Sequence, residues 1–198
     1  MIKNVIFDIG NVLLDFCWKD HIARFGFQGE KADRIAQAMM LGPIWPKLDL
    51  GLESDEDILE QFVAHTPELE QEIRLVFSDL STIVREYEGS VDWIESLKAR
   101  GYHTYYLSNY GERIRREASK ELSFLSHMDG GIMSYTVHLA KPDPAIYQTL
   151  LGRYGLKAEE CVFLDDTVRN VEAAQALGIA GIVVTSQEQA KKELETLL

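Results

Sequence analysis

Four short segments place side chains able to do chemistry where buried strands should end. The apolar run Val5-Ile6-Phe7 gives way to Asp8 and then to a turn containing Gly10-Asn11. Unbroken apolar runs suit strands buried on both faces, and in open α/β sheets ligands gather beyond the carboxyl ends of such strands. Asp8 is therefore a candidate nucleophile or metal ligand, although an aspartate here could equally cap a turn. Phe163-Leu164-Asp165-Asp166 repeats the pattern with adjacent carboxylates. Like charges at one strand end repel, and an unpaired buried carboxylate is very costly, so a cation between them and another anion is the natural remedy. A few carboxylate oxygens, with positions left open for phosphate and water, form the pattern that suits Mg²⁺. Asp165 could instead cap the helix that starts near Thr167, a reading that explains one carboxylate and not three.

Tyr105-Tyr106-Leu107-Ser108-Asn109 reads as a strand ending in a hydroxyl and an amide, both able to hydrogen-bond an oxyanion. In Lys141-Pro142-Asp143-Pro144, Pro144 suits the first turn of a helix and Asp143 its cap. Lys141 then stands just ahead of a helix N-terminus, where a cation and free backbone N–H groups can meet an anion. Singly these are weak signals, since Ser-Asn occurs in any loop and most lysines are solvated.

The order Asp8-Ile9-Gly10-Asn11-Val12, Ser108-Asn109, Lys141, Asp165-Asp166 resembles the four motifs of the haloacid dehalogenase superfamily, over nearly the whole chain. The resemblance implies a Mg²⁺-dependent phosphatase in which Asp8 attacks phosphorus to form an aspartyl-phosphate. Ser108, Asn109 and Lys141 would hold the phosphoryl oxygens. Asp8, the carbonyl of Gly10 and Asp166 would bind Mg²⁺, with Asp165 helping directly or through water. The residue types suit that chemistry on physical grounds. A carboxylate approaching a phosphate dianion meets repulsion, which a divalent cation and a lysine relieve.

Gly10 departs from the pattern, because many family phosphatases carry a second aspartate two residues after the nucleophile. That carboxylate protonates the leaving oxygen and then activates water, and losing such a group costs roughly a hundredfold to ten-thousandfold. The loss matters least for weakly basic leaving groups, which points toward anomeric sugar phosphates or acyl phosphates. The Phe7 to Leu13 spelling also looks like a branch that includes sugar-1-phosphate phosphatases. Asp15 could carry the missing proton, but reads first as a solvated residue at the mouth of the site.

Two other function classes compete. One is a metal-independent dehalogenase-type hydrolase, which the Asp165-Asp166 pair disfavours. The other is a non-catalytic protein that binds a phosphorylated metabolite, which only Gly10 favours. The 198 residues carry a formal charge of −12, which disfavours nucleic acid and anionic membrane as partners. It would also repel phosphate esters at long range, so for the small phosphorylated metabolite that the resemblance implies, local positive potential must come from Mg²⁺, Lys141 and helix N-termini. No apolar run reaches the roughly twenty residues of a membrane span, and Asp8 and Asp15 interrupt any signal-like N-terminus. Cys17 and Cys161 read as free thiols in a reducing cytoplasm, and the five histidines lack metal-ligand spacing.

The elements that must position these residues alternate. Strands are predicted at 3–8, 103–107, 130–134, 161–164 and 180–184. Apolar stripes at Val91/Ile94/Leu97, at Ile146/Leu150/Leu151/Tyr154 and from Thr167 through Val171 and Ala174 mark helices ending near Gly101, Gly155 and Gly178. This alternation argues for an α/β fold with a parallel sheet covered on both faces, the superfamily's Rossmann-like core by resemblance. Residues 1–14 and 87–198 would form that core.

Residues 15–86 read as helices without a buried strand and, by resemblance, as the family's helical cap. Their stripes are Ala32/Ile35/Met39, Ile58/Leu59/Phe62/Val63 and Leu69/Ile73/Val76/Phe77, with Ser54/Asp57 and Thr66-Pro67 as helix starts. Within them Pro43 to Gly51 reads as a loop. Trp45 could stack on a sugar ring while Lys47 or Asp49 bonds hydroxyls, but Trp45 reads first as a residue pinning two helices.

Overall fold

The computed structural model describes residues 1–198, and its chain order is as follows. Strand β1 (Asn4–Phe7) leads to β2 (Leu14–Phe16), then to five helices: α1 (Trp18–Arg24), α2 (Gly29–Ala38), α3 (Trp45–Leu50), α4 (Asp55–His65) and α5 (Glu70–Phe77). β3 (Val84–Glu86), α6 (Ser90–Ala99), β4 (His103–Ser108), α7 (Glu112–Glu117) and β5 (Gly130–Met133) follow. The chain closes with α8 (Pro144–Tyr154), β6 (Cys161–Asp165), α9 (Val168–Ala176), β7 (Ala180–Val183) and α10 (Gln187–Glu195).

The main sheet is parallel, in the order β5-β4-β1-β6-β7, with Asn4 opposite His103 on one side and Cys161 on the other. These are the five predicted strands, in an α/β fold. Side chains alternate between two buried clusters. Val5 and Phe7 join Val162, Leu164, Trp93, Leu97 and Leu194 on one face, while Ile6 joins Leu107, Phe163, Ile146, Leu150 and Ala174 on the other. Helices α6 and α10 therefore cover one face, and α8 and α9 the other. This double burial explains why the strand sequences are apolar at successive positions. After β1 the chain builds β4 and β5 on one side before crossing to β6 and β7, so a switch point lies at the carboxyl end of β1. Local signals fix the helix ends: Asp143 accepts from the Ala145 N–H at 2.8 Å ahead of Pro144, and α8 stops at Gly155 with φ 63°.

The segment between β1 and α6 differs from the sequence reading in two places. β2 and β3 form an antiparallel pair, Leu14 opposite Glu86 and Phe16 opposite Val84, from which the five helices spring. Pro43 to Gly51 is not all loop, because Trp45–Leu50 is helical. Pro46 sits in the first turn, where no intrahelical N–H is required, and Gly51 ends the turn at φ 62°. The helices pack through Trp45 stacked on Phe62 and Phe62 edge-on to Phe77, with centroids 6.2 and 5.7 Å apart. Their apolar residues are continuous with the sheet face that holds Val5 and Phe7.

Polar contacts dock the insert on the sheet layer. Ser134 Oγ donates to the Asp49 carbonyl at 2.5 Å, His138 Nδ1 to the Leu50 carbonyl at 2.9 Å, and Arg113 to the Phe77 carbonyl at 2.6 Å.

Candidate active site

Lys141 is the centre of the site. Its side chain is 1% exposed, and its Nζ lies 2.8 Å from Asp8 Oδ1 and 2.6 Å from Asp165 Oδ2. Burial alone would pull the lysine pKa down, but the two carboxylates more than offset it, and the ammonium is held charged above its usual range. Asp8 responds in the opposite sense. Burial pushes its pKa up to about 6, against the opposing pull of Lys141 and the Ser108 hydroxyl.

One sequence candidate takes a different place from that expected. The Asn109 amide clasps the backbone of Lys141, donating to its carbonyl at 3.0 Å and accepting from its N–H at 2.8 Å. Both ends of that amide are thereby used to seat the lysine. Asp165 is fully buried and saturated: Oδ2 accepts from Lys141 and Asn170, and Oδ1 from the Thr167 N–H at 2.7 Å and from Asn170 at 3.1 Å. It thus ties down the turn leading into α9 and orients Lys141 at once. Asp166 is more open, and one of its oxygens accepts from Asn11 Nδ2 at 2.9 Å.

Asp8, Asp165 and Asp166 each bring an oxygen to within 4.8 Å of the others. Three carboxylates against one ammonium leave two negative charges in a small volume. All-oxygen donors with that deficit suit a hard dication.

Asp8, Lys141 and Asp166 face a cavity of about 270 Å³ lined with them by Gly10, Asn11, Ser108 and Asn109 on the sheet side. Leu14, Phe16, Trp45, Val84, Tyr110 and Ile114 form its apolar wall, and Asp49, Thr167, Arg169 and Asn170 complete it. Trp45 packs its ring on Phe62 and Phe16, and it also borders the cavity. Lys47 bonds Gln61 and does not line the cavity. Asp15 also lies outside the lining, and its carboxylate accepts the Cys17 S–H at 3.2 Å. Cys17 and Cys161 are free and buried. Burial first, and Asp15 beside Cys17, push Cys17 up to about 12, so this thiol stays protonated.

The model of haloacid dehalogenase-like hydrolases matches residues 2–178. The chain belongs to this family. Among curated relatives of this hydrolase, acyl-CoA dehydrogenase family member 10 of Mus musculus is 32% identical across 99% of the chain, which spans only 19% of that longer protein. The sesquiterpene phosphatase astK of Aspergillus oryzae is 25% identical, with 99% of this chain and 96% of the relative aligned. A solved HAD family enzyme from Bacteroides thetaiotaomicron, in complex with magnesium and inorganic phosphate, shares the fold at TM-score 0.71 and 21% identity, covering 94% of this hydrolase and 96% of that chain. No helix of the hydrolase is long and apolar enough to cross a membrane.

Proposed function

We propose that this hydrolase is a Mg²⁺-dependent phosphomonoesterase acting on a small phosphorylated metabolite through an aspartyl-phosphate on Asp8, with sugar phosphates the first class to test. The observation that carries this reading is the Asp8–Lys141–Asp165 array beside Asp166, with two negative charges left over at the mouth of a small cavity. Asp8, Asp166 and the Gly10 carbonyl would hold Mg²⁺, which when bound supplies positive charge to the phosphoryl oxygens. The magnesium and phosphate in the Bacteroides enzyme and the Aspergillus relative's being a sesquiterpene phosphatase support the same reading.

The residues of the chain divide the work. Asp8 attacks phosphorus, and the P–O bond to the leaving group breaks. Lys141 relieves repulsion between the incoming carboxylate and the phosphate, and Asp165 and Asn109 keep it aimed. Ser108 donates to a phosphoryl oxygen. The positions are fixed by four strand or loop ends, which suits a transfer that needs mostly positioning and charge stabilisation. Residues 15–86 act as a cap over this pocket, and their Phe16, Trp45 and Val84, with Leu14, Tyr110 and Ile114 of the core, form an apolar wall that favours an organic group with an apolar face while excluding water. A haloacid dehalogenase has no comparable use for the charge deficit around Asp166.

Phosphate release from a panel of sugar, acyl, alkyl and aryl phosphates tests the reading, with Mg²⁺ or EDTA and with wild type and Asp8→Asn. Activity abolished by EDTA and reduced about a thousandfold or more by Asp8→Asn is expected. Full activity of Asp8→Asn would overturn it.

A further inference from the structure

An in-line phosphoryl transfer leaves a problem that the sheet side of the pocket does not solve: something must protonate the departing oxygen, and Gly10 has no side chain. The leaving oxygen lies on the far side of phosphorus from Asp8, so the donor must reach past the phosphoryl position, and with Gly10 bare it must be another side chain lining the cavity. Six side chains lining the cavity carry titratable groups: Asp8, Asp49, Tyr110, Lys141, Asp166 and Arg169. Asp8 is the attacking group. Lys141 is clamped between two carboxylates, and Asp166 belongs to the acidic trio. Arg169 does not give up its proton in a protein. The buried Tyr110 hydroxyl is pushed well above the usual phenol range by burial, which makes it a poor acid. Asp15 bonds Cys17 outside the cavity. Asp49 remains.

We propose that Asp49, carried by α3 of the helical insert, is the general acid and then the general base of the reaction, doing from the cap what Gly10 cannot do from the core. This rests on the phosphatase reading above. Helix α3 is docked for the purpose. Ser134 Oγ holds the Asp49 carbonyl, His138 holds the Leu50 carbonyl, and Gly51 abuts Tyr135 so closely that a Cβ would lie 2.8 Å from the Tyr135 Cβ. The Asp49 carboxylate faces the amide of Gly111 at the start of α7, where a Cβ would lie 3.6 Å from Oδ1. Burial, and then the charge of Asp8, push Asp49 up to about 7, with Lys141 and the Gly111 N–H pulling the other way. Tyr110 faces it as a neutral phenol. A carboxyl so poised is partly protonated near neutral pH, as an acid that must later act as a base requires.

The protons balance. As Asp8 bonds to phosphorus and the leaving oxygen departs, Asp49 gives its proton to that oxygen, releasing the alcohol. Asp49, now a carboxylate, takes a proton from water as the water oxygen attacks phosphorus. The bond from Asp8 to phosphorus breaks, phosphate leaves, and both aspartates return to their starting states.

The experiment compares leaving groups. Asp49→Asn should lower kcat/KM for a primary alkyl phosphate by roughly 10²–10⁴-fold, and for 4-nitrophenyl phosphate by less than about tenfold, because nitrophenolate needs no proton to leave. The kcat for both should fall, since water attack loses its base. Asp49→Ser, smaller and without a new amide donor, should show the same split. A Cβ on Gly10 meets no atom within 4 Å, so Gly10→Asp in the Asp49→Asn background should regain at least about tenfold on the alkyl ester. Equal losses of kcat/KM on the two esters, in variants whose melting is unchanged, would overturn the role of Asp49 and leave the phosphatase reading standing. A wild type active on the aryl ester and silent on alkyl phosphates would also overturn it, because no working acid is then present. A wild type inert toward every phosphate ester would overturn the phosphatase reading itself, and this role with it.

Discussion

At the carboxyl end of the sheet, Asp8, Lys141 and Asp165 are buried charges tied together at 2.8 and 2.6 Å, whereas the helical insert packs Trp45, Phe62 and Phe77 ring against ring and leaves its ion pairs in water. The two regions spend their sequence differently. Buried charges are destabilising unless every one has a partner, so the sheet end tolerates almost no substitution and gains chemical power from the same constraint. The insert gains its stability from apolar area, which is forgiving of surface change, and it needs to lend the site only an apolar wall and one carboxylate. The charged end thus couples chemistry to stability in the same residues, while the ring packing of the insert serves stability alone.

Breaking the charged end should give the largest effect. Lys141→Ala leaves Asp8 and Asp165 facing one another without a cation. Removing one partner from a buried ion pair costs about 3–5 kcal/mol, so a large drop in the urea midpoint in EDTA is expected. Hydrolysis of 4-nitrophenyl phosphate should fall about a thousandfold or more even where the variant is folded. A variant with wild-type stability would show that Lys141 is not what makes the carboxylates tolerable. Phe62→Ala is the counterpart in the insert. This fully buried ring touches both Trp45 and Phe77, and its loss should cost about 3–5 kcal/mol while kcat at a temperature where the protein stays folded changes by less than about tenfold. If kcat collapsed as far as in Lys141→Ala, the separation of stability from chemistry would be wrong.

The same contrast decides what could be read from the sequence. The central strands of the main sheet are legible because both faces are buried, which leaves apolar runs that end visibly at Asp8, Ser108 and Asp165. The β2–β3 pair is not, since Leu-Asp-Phe and Val-Arg-Glu are three-residue strands with one buried position each. Helix α3 looks like a loop because Pro43, Pro46 and Gly51 read as breakers, and six residues are too few to show a helical period. Asp49 was visible there only as one of two polar residues for substrate hydroxyls, because nothing local says that α3 lies over Asp8. The partner choices of Asn109 and Asp165 are set by Lys141 and Asn170, across turns whose geometry no spacing reveals.

Smaller effects sharpen the comparison. In EDTA, Asp49 binds a proton in the folded state up to about 7, while the unfolded chain releases it near its usual 3.8. A raised pKa of this kind contributes stability that is complete below the unfolded value and is lost as pH rises through the folded one. Asn at this position has no proton to lose. Asp49→Asn should therefore match wild type near pH 4 and become the more stable of the two by pH 8, by about 1–2 kcal/mol once the half-exposure of the residue is discounted. Melting at both pH values reads the gap, and a gap that does not grow with pH would show an ordinary carboxyl. At the other extreme, Arg74 reaches Glu60 at 2.7 and 3.0 Å and Glu70 at 2.9 Å, yet its side chain is 38% exposed. Water screens those charges and the long side chains give up freedom to meet, so Arg74→Ala should cost only about 0.2–1 kcal/mol. Arg74 makes three charge-assisted bonds where Lys141 makes two ion pairs; if its removal nonetheless cost as much as Lys141→Ala, burial would not be what separates the two halves of the molecule.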